Sequence, residues 1–176
     1  MTPKSPDISR IDGVNPALLS APQTPRVSPM THPDDDTEDL QDTYPGAGTF
    51  QFGDNELMCQ TLLTLVRKGV KRATCAALAD FADDPASLPL VGRCDIAANW
   101  DGSPAVVIRT TKVQQVRFCD VTWDMARREG ENDDLAGWQA DHQAYFARNG
   151  GFDRQMMLVF EYFDVVEDLE DRGLVS

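Results

Sequence analysis

A lysine and a threonine three residues apart are the pair in this sequence most suited to hydrolytic chemistry. Lys71 and Thr74 lie in the segment 69–75, which begins with a glycine and also contains Arg72. A lysine whose pKa is lowered by burial or by a neighbouring cation can act as a base, and a threonine hydroxyl can attack a carbonyl or position a water. The same spacing is also common in exposed surface segments, so the pair needs support from the rest of the chain.

Four other polar side chains are candidates for the same site. Glu129 and Glu131 lie in a polar, glycine-containing loop that could present a carboxylate, although charged loops are usually solvated. His142 lies on an aromatic helix face, where it fits either a structural role or a ligand-binding one. Arg109 interrupts an apolar strand and should face solvent or a polar cavity, because burying an unpaired guanidinium is costly.

The cysteines do not indicate a metal site. The chain has four cysteines and two histidines, and no two cysteines form a C-x-x-C pair. We expect reduced thiols in a cytoplasmic protein, with neither a metal nor a cofactor. Cys75 is interpreted as a packing residue beside the site.

Hydrophobic periodicity predicts the elements that must position these side chains. It predicts helices over about 54–68, 123–127 and 135–148, with candidate capping residues for the first two. Asp54 is the expected N-cap of the first helix, and either Asp120 or Thr122 that of the second. Strands are predicted near 93–98 and 105–118, joined by a hairpin at Asp101-Gly102, and over 156–166.

The segment that follows Thr74 is ambiguous. Its composition over 75–79 favours a short helix, and an extended start is the alternative. In a helix beginning at Lys71, the lysine and the threonine would share one face. In an extended segment they would point to opposite faces and could converge only through a bend.

Composition separates an N-terminal tail from the domain. Residues 1–46 hold eight of the eleven prolines and a cluster of acidic residues, which predicts a disordered tail, either a solvated extension or a partner-binding arm. The net charge of −13 argues against broad, non-specific binding to nucleic acid. No apolar run is long enough to predict a membrane span.

The order of the segments resembles that of the ASCH domain family. The resemblance covers roughly residues 50–166 and rests on short segments in a common order: 52–54, 69–75, 90–93, 107–111, 126–131, 138–142 and the final strand. It implies an α+β fold over residues 47–170, a PUA-like mixed β-barrel with flanking helices, preceded by the disordered tail.

The resemblance also implies an activity. Small bacterial members of this family include metal-independent amidohydrolases that remove the acetyl group from acetylcytidine, using a G-x-K-x-x-T motif and a later glutamate. Gly69, Lys71 and Thr74 match the motif, and Glu129 is the best match for the glutamate, with Glu131 in reserve. The implied catalytic residues are Lys71, Thr74 and Glu129, and the implied substrate-binding residues are Arg72, Arg109, Glu131 and His142.

An RNA-binding module of the PUA-like class, with or without ribonuclease activity, is the alternative. A larger subgroup of the family, to which this longer chain is more similar, is associated with RNA. Lys71, Arg72, Arg109 and Lys112 would then supply a local basic face, although the net charge of −13 counts against it. The expected partner is thus either a small nucleoside or RNA, and not a membrane.

Overall fold

The structure, a computed structural model, describes residues 40–170. Most of the predicted tail lies outside these residues. The last part of that segment contains a short helix, α1 (Leu40–Thr43), which precedes the first strand. None of the helices in the described part of the chain has both the length and the apolar character needed to cross a membrane.

One five-stranded sheet forms the centre of the domain. Its strands are β1 (Thr49–Phe50), β2 (Ala73–Ala77), β3 (Cys94–Ala98), β4 (Pro104–Arg117) and β5 (Met157–Asp168). They lie in the order β1-β3-β4-β5-β2, with β1 parallel to β3 and the other pairs antiparallel. The α+β class is confirmed. The edge strands β1 and β2 do not pair with each other, so among the described residues the sheet is open and the predicted barrel is not closed.

The predicted hairpin joins β3 to β4. Gly102 has a positive φ of 89°, and its backbone N–H donates to the carbonyl of Asn99 at 2.9 Å. This turn lets the Asp-Gly pair reverse the chain and sets the register in which Ile96 faces Val107.

Residues 73–77 form a strand, which is the extended alternative, whereas the composition of 75–79 favoured a short helix. Each residue of this strand has a register partner on the antiparallel strand β5, from the Ala73–Tyr162 pair to the Ala77–Leu158 pair. Tertiary pairing of this kind overrides the weak helix preference of alanine. A short 3-10 helix, Leu78–Phe81, follows at once.

Three further α-helices pack on the sheet: α2 (Glu56–Arg67), the short α3 (Trp123–Ala126) and α4 (Leu135–Arg148). The N-cap of α2 is Asn55, whose side chain accepts a hydrogen bond from the N–H of Met58 at 2.9 Å. Asp54, the predicted cap, instead binds Arg148 at the end of α4. Thr122 caps α3, which settles the two candidates for that position.

Two apolar clusters anchor these helices. Leu63 and Val66 of α2 pack with Val106, Ile108 and Phe163 of the sheet. A second cluster centres on Trp138 of α4. It includes Phe118, Phe146, Leu158 and Phe160. The ion pair between Asp54 and Arg148 joins the start of α2 to the end of α4.

Candidate functional site

A cavity of about 410 Å³ lies between β2, β5, α4 and the loop that follows α3. Aromatic residues, including Phe50, Phe52 and Tyr145, supply part of its wall. Of the residues predicted for the site, four line it: Thr74, Glu129, Glu131 and His142. The structure therefore brings together residues that are up to 68 positions apart in the chain.

The loop that carries the two glutamates is fixed against the segment before β2. The backbone N–H groups of Arg72 and Ala73 both donate to the carbonyl of Arg128, at 2.7 and 3.0 Å. Gly130 has a positive φ of 73° and lies against Val70 so closely that a Cβ atom would stand 2.7 Å from the Val70 carbonyl oxygen. This contact places Glu129 and Glu131 on either side of Gly130, next to Lys71.

Lys71 is buried, and its ammonium group binds Glu131. Its Nζ lies 2.6 Å from Oε1 of Glu131 and 5.6 Å from the ring centre of Phe52, and the side chain is 1% exposed. Burial opposes the charge on Lys71, but the carboxylates of Glu131 and Glu129 outweigh it and raise its pKa. This direction is opposite to that expected for a lysine base, so Lys71 acts as a fixed cation behind the cavity wall.

Glu129, the predicted partner of Lys71, binds His142 and Trp138 instead. Its Oε2 lies 2.8 Å from Nε2 of His142 and accepts a hydrogen bond from the indole N–H of Trp138 at 3.2 Å. Burial opposes ionisation of Glu129, but the positive charges of His142 and Lys71 outweigh it and lower its pKa. Its Oε1 is buried and has no hydrogen-bond partner among the described residues.

The surroundings of His142 favour its charged form and raise its pKa. Its ring stacks on Trp138 with 4.1 Å between centroids, and Nδ1 lies 2.9 Å from the Trp138 carbonyl oxygen. Burial disfavours the charged ring, yet the charge of Glu129 outweighs burial and raises the pKa of His142. With Nδ1–H donating to the carbonyl and Nε2–H donating to Glu129, both ring nitrogens are satisfied as donors.

Cys75 completes this group without being a reactive thiol. Burial and the negative charge of Glu129 raise the pKa of Cys75 well above its ordinary value, so the thiol stays protonated at neutral pH. One potential ligand atom from each of Cys75, Glu129 and His142 lies within 4.8 Å of the others. These donor types suit Zn²⁺. The spacing of the cysteines in the sequence gave no sign of this convergence.

Two predicted substrate-binding residues lie outside the cavity. The guanidinium of Arg72 donates to the carbonyl of Val66 and to that of Lys71, both at 2.9 Å, so it completes the C-terminal end of α2. Arg109 lies on β4 with its side chain exposed to solvent. Neither Arg72 nor Arg109 is among the residues that line the cavity.

A second polar group lines the cavity and was not predicted. Glu161 of β5 accepts a hydrogen bond from the hydroxyl of Thr110 at 2.6 Å, and Arg93 and Asp95 lie nearby with 2.9 Å between Nε and Oδ2. The signal was present in the sequence: Glu161 is one of two acidic residues in the mainly apolar run 156–166. Its carboxylate, like the guanidinium of Arg109, should face solvent or a polar cavity. Of the two, Glu161 is the one that faces the cavity.

The comparisons with known proteins agree with this architecture. The ASCH domain family profile matches residues 48–167. A crystal structure of an ASCH domain from Lactobacillus crispatus JV V101 is 32% identical, with a TM-score of 0.65, over 72% of this chain and 84% of that one. A crystal structure of a protein from Enterococcus faecalis V583 is 30% identical, with a TM-score of 0.65, over 71% of this chain and 79% of that one. No curated protein matches the sequence. The chain belongs to the ASCH domain family.

Proposed function

We propose that the protein hydrolyses the N-acyl bond of a small, uncharged compound, an acylated nucleoside such as acetylcytidine or a close analogue. The observation that carries this proposal is the cavity of about 410 Å³ that Thr74 lines, with the Lys71–Glu131 pair at its wall. Its volume falls within the range of small-molecule sites, roughly 300–1,000 Å³. Its mixture of aromatic and polar walls suits a base joined to a sugar.

The roles differ from those that the family resemblance implied. Thr74 attacks the amide carbonyl or positions the water that does so. Glu131, which reaches the cavity, receives the proton from the attacking hydroxyl and passes it to the leaving amine nitrogen. The Lys71 ammonium stabilises the negative charge that develops nearby. Glu129 and His142 form a fixed ion pair in the wall. Net hydrolysis adds water across the C–N bond and releases a carboxylic acid and an amine.

The charges around the cavity favour an uncharged substrate over RNA. Several carboxylates line the cavity. Two residues of the predicted basic surface are not available to RNA, because Lys71 is buried and Arg72 is bound to the end of α2. The Lys112 ammonium lies 5.1 Å above the ring of Tyr162. No specific observation favours the RNA-binding alternative, which the experiment below also addresses.

Replacing Thr74 by alanine is expected to lower the rate of acetyl release from acetylcytidine at least about 100-fold, because the attacking or positioning hydroxyl is lost. Glu131→Gln should reduce kcat by a similar factor, since it removes both the proton acceptor and the ion-pair partner of Lys71. The measurement is steady-state release of acetate from acetylcytidine and from a panel of other acylated nucleosides.

Thr111→Ala is the matched control, because Thr111 is exposed on β4 and is not among the residues that line the cavity. It should keep the wild-type rate. The proposal is wrong if the wild-type protein releases no acid from any member of the panel, or if Thr74→Ala is as fast as wild type. Cleavage or tight binding of single-stranded RNA by a protein inactive on the whole panel would support the alternative function.

A further inference from the structure

Glu161 lines the cavity, and together with Thr110, which is buried behind it, forms a polar corner that the proposed hydrolytic roles leave unused. Thr110 is buried in β4, and its hydroxyl donates to Oε1 of Glu161 at 2.6 Å. Among the residues that the structure describes, none bonds to the other oxygen, Oε2. Glu161 lines the cavity and its side chain is only partly buried, so this carboxylate faces a bound ligand.

The corner lies directly beside the threonine of the proposed reaction. Thr74 of β2 and Glu161 of β5 are register partners in the antiparallel pair. Side chains directly opposite each other in such a pair lie on the same face, with Cβ atoms roughly 5 Å apart. A ligand whose acyl carbonyl meets the Thr74 hydroxyl therefore places the atoms next to its amide nitrogen against Glu161.

The protonation of Glu161 gives this corner a mixed hydrogen-bonding character. Burial raises the pKa of Glu161 to about 7, the hydrogen bond from Thr110 opposes that rise, and the charge of Asp95 adds to it. Because the Thr110 hydroxyl already donates to Oε1, the carboxyl proton belongs on Oε2. The neutral group then offers an acceptor and a donor side by side.

We propose that Glu161 is the specificity-determining residue of the cavity and binds a ring amidine edge, in which an N–H donor stands beside an unprotonated ring nitrogen. Oε1 accepts from the exocyclic N–H, and Oε2–H donates to the ring nitrogen. The 4-amino edge of a cytosine presents this pattern. The inference rests on the proposed function for the placement of the acyl group, but the binding that it describes does not require hydrolysis.

Other titratable groups share the cavity and must be separated from Glu161 in any pH experiment. Arg93 and Asp95 face it from the β3 side, and Thr110 and Thr74 flank it from β4 and β2 without titrating. The remaining charged or titratable groups of the lining come from β2, α4 and the preceding loop: Cys75, Glu129, Glu131, Asp141, His142, Tyr145 and Arg148. A substitution at Glu161 itself is therefore the necessary comparison.

The test is calorimetric titration of the full-length protein with cytidine between pH 6 and pH 8. With a carboxyl pKa of about 7, the wild-type affinity should fall about tenfold over this range, since only the protonated form donates to the ring nitrogen. Glu161→Gln keeps an acceptor and a donor, so it should bind within about threefold of wild type at pH 6 and lose the pH dependence. Glu161→Leu should bind at least about tenfold more weakly.

Asp164→Asn is the matched control, because Asp164 is exposed on the same strand. It should retain both the affinity and its pH dependence. The pyrimidinone riboside that lacks the 4-amino group should bind the wild type at least about tenfold more weakly than cytidine does. Absence of cytidine binding, or an unchanged pH dependence in Glu161→Gln, would overturn the inference. Cytidine binding as described without any hydrolysis of acylated nucleosides would instead overturn the proposed function alone.

Discussion

Gly130→Ala is expected to lower the free energy of unfolding by about 2–4 kcal/mol, through backbone strain combined with a steric clash. The φ of Gly130 is 73°, in the left-handed region that disfavours side chains. An added Cβ would also stand 2.7 Å from the carbonyl oxygen and 2.8 Å from the carbonyl carbon of Val70, and backbone atoms cannot rotate away. Urea unfolding followed by circular dichroism measures the loss.

Gly92→Ala is the control that separates the two causes. Gly92 has a φ of 88°, but an added Cβ there meets nothing within 4 Å. Gly92→Ala should therefore lower the free energy of unfolding by about 1 kcal/mol, through backbone strain alone. Equal losses for the two variants would contradict the view that close approach of the loop to Val70 holds the glutamates beside Lys71. If this contact positions the glutamates, folded Gly130→Ala should release acetate more slowly than wild type, whereas Gly92→Ala should keep the wild-type rate.

The helices and the hairpin could be predicted because their signals are local. The second long helix was predicted over 135–148 and is observed as Leu135–Arg148, and the Asp101-Gly102 turn was predicted between the strands that it joins. Each depends on periodicity, capping or turn chemistry within a few residues. Whether residues 73–77 extend depended on β5, more than 80 positions away, and local propensity favoured the wrong state there.

The members of the site were easier to predict than their pairing. The sequence nominated Lys71, Thr74, Glu131 and His142 correctly as neighbours of one region, yet it assigned Glu129 rather than Glu131 to the lysine. Two glutamates separated by one glycine are indistinguishable by spacing. Only the fixed conformation of Gly130 decides which carboxylate points to Lys71 and which to His142. The upward shift in the pKa of Lys71 follows from the positions of these two carboxylates, so it could not have been predicted from the sequence.

Glu129→Ala is expected to destabilise the protein by about 3–5 kcal/mol, the usual effect of removing one partner of a buried ion pair. The side chain is 1% exposed, and its loss leaves the His142 ring and the Trp138 indole N–H without their acceptor. It also removes one of the two carboxylates that support the charge on Lys71. Asp124→Ala is the control, because its pair with Arg127 is exposed and should contribute less than about 1 kcal/mol.

The same substitution should change how stability depends on pH. Because the pKa of Glu129 is lowered in the folded protein, its charge contributes fully to the free energy of unfolding above the ordinary pKa of 4.5. That contribution is lost as the pH falls through the lowered pKa. The raised pKa of His142 means that its contribution is complete below the ordinary value of 6.5 and is lost as pH rises through the raised value. The difference in unfolding free energy between wild type and Glu129→Ala should therefore be largest between pH 4.5 and 6.5. A difference that stays constant from pH 4 to pH 9 would show that Glu129 acts through packing and hydrogen bonding alone, because a charged pair must lose its contribution when either partner loses its charge.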